Sequence, residues 1–337
     1  HKDLFYVKMF IKNSLFLLYV FIIDHIHGFA EISYNLPNLS ACAKWNSNGT
    51  TLIHNSNGRF SPYALFIDKN NTLFMTNLAN HYVYKWLNDG NDLITIEFPY
   101  FSRPYGLFVL PTGDIYTSDR GSSRVYKWIE ATKTIETVAQ FCTICISIFI
   151  SIHDVIYCSM TVSNQIFTTQ IHNKSTLMTV VAGVGFPGSA ANMLRQPRGI
   201  FVNINLDLYV TDSGNNRIQL FRSNEVNAIT IVGASDTIKL NKPTNVVLDA
   251  NNYIYIVDSG NHRIVASTPY GFRCIVNCGR PGGLYDGLPH PTSMGFDSFG
   301  NIYILDPFNN RIQKFLLSNN TYSKYNRDVE IRHRLLF

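Results

Sequence analysis

The stretch Leu208-Tyr-Val-Thr-Asp-Ser-Gly-Asn-Asn-Arg-Ile218 is the clearest copy of a repeat that runs through the chain. Residues 254–264 repeat it as Ile-Tyr-Ile-Val-Asp-Ser-Gly-Asn-His-Arg-Ile. Six units can be aligned in this way, and they open at or near Pro62, Pro104, Cys145, Pro197, Pro243 and Pro291. Their anchor positions, an Asp in four units, are 77, 119, 160, 212, 258 and 306, at intervals of 41 to 52 residues. The repeat region therefore consists of six copies of one structural unit.

Each unit has the pattern of four short strands. In the fourth unit these are the apolar run after Pro197, residues 208–212, the run that begins at Arg217, and an outer strand at 228–232. Short alternating runs bounded by Gly, Asn and Ser are typical of strands and turns. Four strands in about 40–50 residues is the size of a propeller blade. The sequence predicts an all-β, six-bladed β-propeller of four-stranded antiparallel blades over residues 50–317.

The two ends of the repeat region predict how the ring closes. The sixth unit ends after its third strand, Arg311–Phe315, whereas Thr50–Asn55 has the pattern of an outer strand that belongs to no unit of its own. We expect Thr50–Asn55 to complete the last blade, because a shared blade leaves no open sheet edge where the ends meet. Residues 31–49 would then be an N-terminal lead-in, and residues 318–337 a C-terminal tail.

The repeat resembles the NHL repeat, which is named after an Asn-His-Leu core. That core is present here as Asn261-His262-Arg263-Ile264 and, more weakly, as Asn80-His81-Tyr82-Val83. The resemblance covers residues 50–316 and also extends to secreted proteins made only of NHL repeats, most of which have no assigned activity. We expect a binding or interaction scaffold rather than an enzyme, on the residues considered below.

The N-terminal 30 residues have the features of a secretory signal peptide. Met9 and Lys12 precede nine apolar residues, Leu15 to Ile23, and Gly28 and Ala30 supply a small-x-small cleavage site. A bilayer span needs about 20 apolar residues, so we expect cleavage after Ala30 and no membrane span in the mature chain. A buried N-terminal strand or an uncleaved anchor is the alternative. Export would also open five Asn-x-Ser/Thr sites to glycosylation, at Asn38, Asn48, Asn70, Asn173 and Asn319.

The six cysteines are disulfide candidates in an exported protein. Cys145 and Cys158 fall at the two ends of the first hairpin of the third unit, directly opposite one another if the turn is centred near Ser151-Ile152. We predict a disulfide between them, and name Cys274 and Cys278 as the next candidate pair. The partners of Cys42 and Cys142 are left open.

A repeated acid and base mark the turn of four units. The pairs are Asp119 and Arg124, Asp212 and Arg217, Asp258 and Arg263, and Asp306 and Arg311. A carboxylate that recurs in four blades is better explained by structure than by catalysis. We expect each Asp to accept backbone N–H groups across its turn and to pair with the Arg beyond it.

Each enzyme alternative requires particular residues. Zinc-dependent lyases with NHL-like propellers place several His around the channel, but the innermost strands predicted here contain none, and His290 is the only His expected near a channel mouth. A RING ubiquitin ligase needs a second Cys pair beside Cys142-x-x-Cys145, and the sequence has none at the required distance. Nucleic-acid binding calls for a dense basic face, whereas the formal charge is +5 without a Lys/Arg run.

A calcium-dependent propeller hydrolase remains as the alternative function. Its channel metal would be held by groups such as Asn203, Asn245 and Asp297, although Asp68, Asp249 and Asp297 fit strand-end turns equally well. We therefore predict no cofactor and no catalytic residues for the scaffold, and calcium only for this alternative.

The loops that lead into the innermost strands carry the candidate binding residues. They are rich in cations, namely Arg59, Arg103, Arg195, Arg198 and Lys242, with Arg280 further out, and Asp236 and Asp286 are the main acids among them. The third unit contributes no cation. Clustered cations at a concave mouth focus a positive potential, and Arg suits carboxylate, sulfate or phosphate. We predict an anionic ligand, an acidic glycan or an acidic protein patch; cations that serve only solubility are the alternative.

Overall fold

Six four-stranded antiparallel sheets stand as blades around a central channel. The computed structural model describes residues 32–54, 60–87, 93–99, 102–171, 178–233, 237–279 and 287–321, and within them 26 strands form these six sheets and one two-stranded sheet. The innermost strands of successive blades contact one another, the last against the first. The predicted all-β, six-bladed propeller is therefore confirmed.

The strands of each blade are named A to D from the channel outward. Blades 1 to 3 consist of β3 (Pro62–Ile67), β4 (Leu73–Asn77), β5 (Tyr82–Trp86) and β6 (Leu93–Glu97); β7 (Pro104–Val109), β8 (Ile115–Asp119), β9 (Arg124–Ile129) and β10 (Thr134–Gln140); β11 (Ser147–Ile150), β12 (Val155–Met160), β13 (Gln165–Gln170) and β14 (Thr179–Ala182). Blades 4 to 6 consist of β15 (Pro197–Val202), β16 (Leu208–Asp212), β17 (Arg217–Phe221) and β18 (Ile229–Val232); β19 (Asn245–Leu248), β20 (Ile254–Asp258), β21 (Arg263–Thr268) and β22 (Gly271–Val276); β23 (Met294–Phe296), β24 (Ile302–Asp306), β25 (Arg311–Phe315) and β2 (Thr50–His54). The remaining sheet pairs β1 (Lys44–Trp45) with β26 (Leu317–Asn319).

Antiparallel pairing divides the connections between two faces. The loops that lead into strand A and the turns from B to C lie at one end of the blades, which we name the upper face. The turns from A to B and from C to D lie at the other end, the lower face. In blades 4, 5 and 6 the B–C turn is a 3₁₀ turn, at Ser213–Asn215, Ser259–Asn261 and Pro307–Asn309.

Burial follows the position of a strand in its blade. Strand B is buried along its whole length in β4, β8, β16, β20 and β24, whereas most residues of the outer strands β6 and β10 are exposed or half-buried. A strand in the middle of a blade has neighbouring blades on both faces and neighbouring strands on both edges. This is why the B runs, such as Ile254–Asp258, are nearly continuous in apolar residues rather than alternating.

The ring closes through the N-terminal strand. β2 pairs with β25, with Thr50 opposite Lys314 and Ile53 opposite Ile312, so it forms strand D of blade 6. This confirms the predicted closure within Thr50–His54; Asn55 lies outside the described residues. Trp45, on the preceding strand, is 7% exposed and donates its indole N–H to the Gly300 carbonyl at 2.8 Å.

The turns on the lower face are stabilised by strand-end carboxylates. Asp68 Oδ1 accepts the N–H groups of Asn70 and Thr72, and Asp249 and Asp297 accept the equivalent bonds of their own turns. Asn203 Oδ1 does the same in blade 4. These side chains fill the role of turn residues that the sequence allowed for them.

Two disulfides join cysteines of the described residues. Cys145 bonds to Cys158 with a Cα–Cα distance of 5.4 Å, and Cys274 to Cys278 at 5.7 Å, as the sequence predicted. The predicted reason for the first pair was wrong, because residue Ile148, not Cys145, lies opposite Cys158. The hairpin turn spans Ser151–Asp154, later than expected, so Cys145 lies before the start of β11 and reaches across to β12. Cys42 and Cys142 are exposed and belong to neither disulfide.

Candidate functional site

The central channel contains a cavity of about 120 Å³, lined by strand A of all six blades. Near its lower end, four blades place a phenylalanine at the same repeat position: Phe66, Phe108, Phe149 and Phe201. Successive ring centroids are 5.0 to 5.1 Å apart, in tilted or edge-to-face contacts. Blades 5 and 6 have Val247 and Gly295 at this position. We refer to these six residues as the phenylalanine girdle.

The lower end of the channel is covered by the lead-in segment. The Tyr34 ring lies 5.5 Å from the rings of both Phe149 and Phe201, and burial raises the pKa of its hydroxyl. The adjacent Asn35 donates its amide N–H to the carbonyls of Asp68 and Phe296 at 2.8 and 3.2 Å. Tyr34 and Asn35 therefore make the channel a pocket that is blind below and open to the upper face.

Hydrogen bonds join every blade to the next around this pocket. Within the described residues the six donor–acceptor pairs are Thr76 Oγ1 to Tyr105 O, Ser118 Oγ to Cys145 O, Thr161 Oγ1 to Pro197 O, Gly199 N to Thr244 O, Thr244 Oγ1 to Pro291 O, and Thr292 Oγ1 to Tyr63 O. Gly199 is required at its junction, because a Cβ there would lie 2.6 Å from Asn245 Cα. The pocket wall is thus a continuous hydrogen-bonded belt.

Arg198 lines the channel cavity near the upper end of its strand A. Burial raises the pKa of the Tyr63 hydroxyl to about 12, and the positive charge of Arg198 opposes that rise. Tyr63 is in blade 1 and Arg198 in blade 4, on the opposite side of the ring, and both residues line the same cavity. The Tyr63 and Tyr105 rings contact edge-to-face at 4.5 Å, and Arg120 Nη1 donates to the Tyr105 hydroxyl at 3.4 Å. Within the described residues, no hydrogen bond or ion pair joins the Arg198 side chain to an anion.

The other predicted cations lie on the same face but outside the pocket. Arg103, Arg195 and Lys242 are exposed on the loops that lead into strand A, whereas Arg198 alone among the described candidates lines the channel. Their part in ligand binding therefore stays a prediction. Arg59, Arg280, Asp236 and Asp286 lie outside the described residues.

Three contributors to the mouth were missed from the sequence. Tyr63 and Tyr105 occupy the position of Arg198 in their own blades, directly after the opening proline, and alignment of the six units could have shown this. Arg120 follows the repeat Asp in a B–C turn, which also opens on the upper face. The sequence could have indicated Arg120, because B–C turns and the loops into strand A open on the same face of a propeller.

The repeat carboxylates hold the upper loops in place. Asp212 Oδ2 pairs with Arg217 Nε at 2.7 Å, and its Oδ1 accepts the Arg195 N–H at 2.7 Å. The pairs Asp258–Arg263 and Asp306–Arg311 have the same geometry at 2.8 Å. All three Asp residues are fully buried. The interpretation of this motif as structural agrees with these contacts.

Blade 2 departs from that pattern. Asp119 Oδ2 accepts the N–H and Oγ–H of Ser122, while Arg124 Nε donates to Gln140 at 3.3 Å. The expected pairing of Asp119 with Arg124 was therefore wrong, because Ser122 satisfies the carboxylate from within the turn. In blade 6, Asp306 Oδ1 has no partner among the described residues, since the loop residue that should donate is Pro289, which has no N–H.

Neighbouring blades are also linked on the upper face by residues with a left-handed backbone. Asn164, Asn216 and His262 occupy the same turn position with φ between 55° and 58°. Their side chains accept the N–H of the residue before the next opening proline, which is Gln196, Lys242 and His290 respectively, at 2.8 to 3.0 Å. His262 of the NHL-like core is therefore a linker between blades 5 and 6.

Within the described ranges, no three His, Cys, Asp or Glu side chains are grouped closely enough to hold a metal ion.

The His262–His290 link predicts a dependence of stability on pH. Partial desolvation of this exposed side chain, followed by the adjacent His262 and Lys242, lowers the pKa of His290 below its ordinary value of 6.5. The unfolded chain then binds a proton more readily than the folded one, so stability falls as the pH decreases through 6.5 and levels off below the folded pKa. We expect His290→Asn to reduce the loss of melting temperature between pH 7.5 and pH 5. His153→Asn, at an exposed site on the lower face, is the control; equal pH dependence in both variants would contradict the prediction.

The glycosylation candidates within the described residues are accessible. Asn38, Asn48, Asn70 and Asn319 are exposed, and Asn173 lies outside the described residues. The Asn38 side-chain oxygen accepts a hydrogen bond from the Asn251 side chain, which fixes the position of Asn38 at the surface.

No helix of the described residues is long and apolar enough to cross a bilayer.

The comparison with protein families supports the repeat. The family model described as NHL repeat matches residues 194–221, from Leu194 of the upper loop through strand C of blade 4. The chain is a six-bladed β-propeller that carries an NHL repeat. No curated protein matches this propeller.

Solved structures show the same fold at low sequence identity. An auxiliary nutrient binding protein from Bacteroides thetaiotaomicron matches with a TM-score of 0.62 and 14% identity, over 85% of the propeller chain and 76% of that protein. A protein of the same description from Bacteroides ovatus gives 0.59 and 15%, over 86% and 76%. Virginiamycin B lyase from Staphylococcus aureus gives 0.58 and 12%, over 81% and 100%. Binding proteins and a lyase thus share this fold. The fold alone therefore does not distinguish a binding function from a catalytic one, and the residues of the site are needed to do so.

Proposed function

We propose that this propeller is a binding scaffold whose upper face takes an anionic ligand or partner at the channel mouth. The observation that carries the proposal is Arg198, a half-buried arginine that lines the channel and has no anionic partner among the described residues. A cation removed from water gains most from a charge-assisted hydrogen bond. An anionic group that enters the mouth would supply one, and Arg120 lies beside the same mouth through Tyr105.

Two other features of the upper face support this function. The loops that carry Arg103, Arg195 and Lys242 are held by hydrogen bonds to buried or turn side chains, so their positions are fixed before a ligand arrives. Preformed loops lower the entropy cost of binding. The similar nutrient-binding propellers add support from fold alone.

We place the protein outside the cell. Disulfides such as Cys145–Cys158 and Cys274–Cys278 persist in oxidising compartments and are rare in the cytosol. The predicted signal peptide at residues 1–30 and the exposed glycosylation sites agree with export. The partner would then be an extracellular glycan or protein.

The proposal is tested by removing charge from one face only. The triple variant Arg103→Ser, Arg198→Ser, Lys242→Ser is compared with wild type for retention on heparin and on an acidic glycan array. We expect binding at least about tenfold weaker, because each charge-assisted bond contributes about 1.5–3 kcal/mol.

The matched control is Lys69→Ser, Lys133→Ser, Arg222→Ser, which removes the same formal charge from the lower face. Equal losses of retention in both triple variants would show that retention depends on net charge alone, and would reject a binding site on the upper face. Stoichiometric calcium or zinc in the purified protein would instead favour the hydrolase or lyase alternative.

A further inference from the structure

Resting on the proposed function, we infer that the channel pocket takes a small monocarboxylate with an apolar, ring-sized tail. The tail occupies the phenylalanine girdle, and the carboxylate pairs with Arg198 at the mouth. This is a different ligand from a glycan or protein that spreads over the loops, since it enters the channel itself.

The lower half of the pocket selects an apolar group. Its floor is the Tyr34 ring, and its wall is the girdle, whose rings Phe108 and Phe149 lie 5.1 Å apart and edge-on to each other. Aromatic rings in such a wall accept another ring edge-to-face or offset. Gly295 leaves room on one side, because a Cβ there would meet only the Ile67 side chain at 3.4 Å.

The upper half of the pocket selects one negative charge. Arg198 is the only cation among the described lining residues, and no described acid lines the pocket. A guanidinium binds a carboxylate through two parallel hydrogen bonds, which fixes the orientation of the ligand. The blind lower end then requires the apolar tail to point toward Tyr34.

One unsatisfied group refines the ligand further. Asn245 Oδ1 is buried in the pocket wall and has no hydrogen-bond donor among the described residues. Its backbone lies against Gly199, next to Arg198 in the chain. A hydroxyl on the carbon beside the carboxylate would offer the donor that Asn245 lacks, so 2-hydroxy acids should bind more tightly than the parent acids.

The size of the cavity limits the tail. A cavity of about 120 Å³ is comparable to apolar protein cavities of about 150 Å³ that accept benzene. One six-membered ring fits, whereas a glycan or peptide chain does not. Phenylacetate and mandelate, its 2-hydroxy relative, are therefore the probes.

The test is calorimetric titration of the full chain with phenylacetate, mandelate and uncharged benzyl alcohol. We expect mandelate to bind more tightly than phenylacetate, and benzyl alcohol at least about tenfold more weakly than phenylacetate, because it lacks the charge-assisted bond. Arg198→Gln should weaken both acids at least about tenfold. Gly295→Leu should fill the girdle and weaken both acids by a similar factor while leaving retention on heparin unchanged.

The outcomes separate this inference from the proposed function. If heparin retention depends on the upper-face cations but neither acid binds, or if Gly295→Leu leaves acid binding intact, the pocket inference fails and the scaffold function stands. If neither heparin nor the acids respond to Arg198→Gln or the triple variant, both fail. Should Gly295→Leu not fold, Phe201→Leu is the second variant; it enlarges the girdle, and it should shift preference from phenylacetate to 1-naphthylacetate. An unchanged preference would overturn the inference.

Discussion

Deletion of residues 1–55 is expected to abolish cooperative folding of the propeller. The deletion removes β2, which is strand D of blade 6, and with it the hydrogen bonds to β25. It also removes Leu39 and Trp45, which are 1% and 7% exposed. Burial of each such side chain contributes about 1.5–3 kcal/mol, out of a total stability of about 5–15 kcal/mol for a folded domain. The exposed edge of β25 would in addition invite pairing with other chains.

Thermal unfolding followed by circular dichroism, with size-exclusion chromatography, measures this effect. Deletion of residues 1–30 is the control, because it removes none of the contacts described for Tyr34 or for the strands. The control should melt cooperatively as a single species, and the longer deletion should aggregate or melt without a transition. A longer deletion that melts within a few degrees of the control would show that blade 6 is stable with three strands.

The fold could be predicted from the sequence because the repeat carries most of its information locally. The spacing of the anchor positions defined six units, and the end of the repeat pattern after Phe315 pointed to Thr50–Asn55 as the missing outer strand. The pairing of β2, Thr50–His54, with β25 confirms that closure. The register inside a hairpin was less certain. It depends on where the turn is centred, and a shift of the turn toward Asp154 moved Cys158 opposite Ile148.

The candidate site was predictable only in part. The face on which the cations lie follows from topology, but the reach of each side chain does not. Arg198 lies directly after an opening proline and lines the channel, whereas Arg103 lies before one and is exposed on the loop. Tyr34 gave no signal, because it belongs to no repeat and its ring contacts residues more than 70 positions away. Such long-range contacts by non-repeating segments are what periodicity does not encode.

Arg124 shows the same limit from within the repeat. Arg124 occupies the repeat position of Arg217. However, Ser122 donates to the Asp119 carboxylate in its place, and the Arg124 side chain donates to Gln140 instead. Two arginines at equivalent repeat positions therefore contribute differently to the free energy of unfolding, because one neighbouring turn residue differs between the blades.

Arg217→Ala is expected to destabilise the propeller by about 3–5 kcal/mol, because it leaves a fully buried carboxylate without its counter-ion. Asp212 has no exposed surface, and Arg217 also donates to the carbonyls of Ser189, Ala190 and Met193 at 2.8 to 3.1 Å. The loss of one side chain therefore releases both the B–C turn of blade 4 and the loop that carries Arg195. Chemical denaturation at pH 7 measures the change.

Arg124→Ala is the matched control at the same repeat position, and it should cost less than about 1 kcal/mol, as for a surface residue without a buried partner. The dependence on pH identifies the cause. Burial already raises the pKa of Asp212, and Arg217 opposes that rise, so its removal raises the pKa further. A folded-state pKa above the unfolded value means that the folded chain binds the proton more tightly, and the penalty decreases as the pH falls. The deficit of Arg217→Ala relative to wild type should therefore narrow between pH 7 and pH 4.5. A deficit that is constant over this range would assign the loss to the three carbonyl bonds rather than to the buried charge.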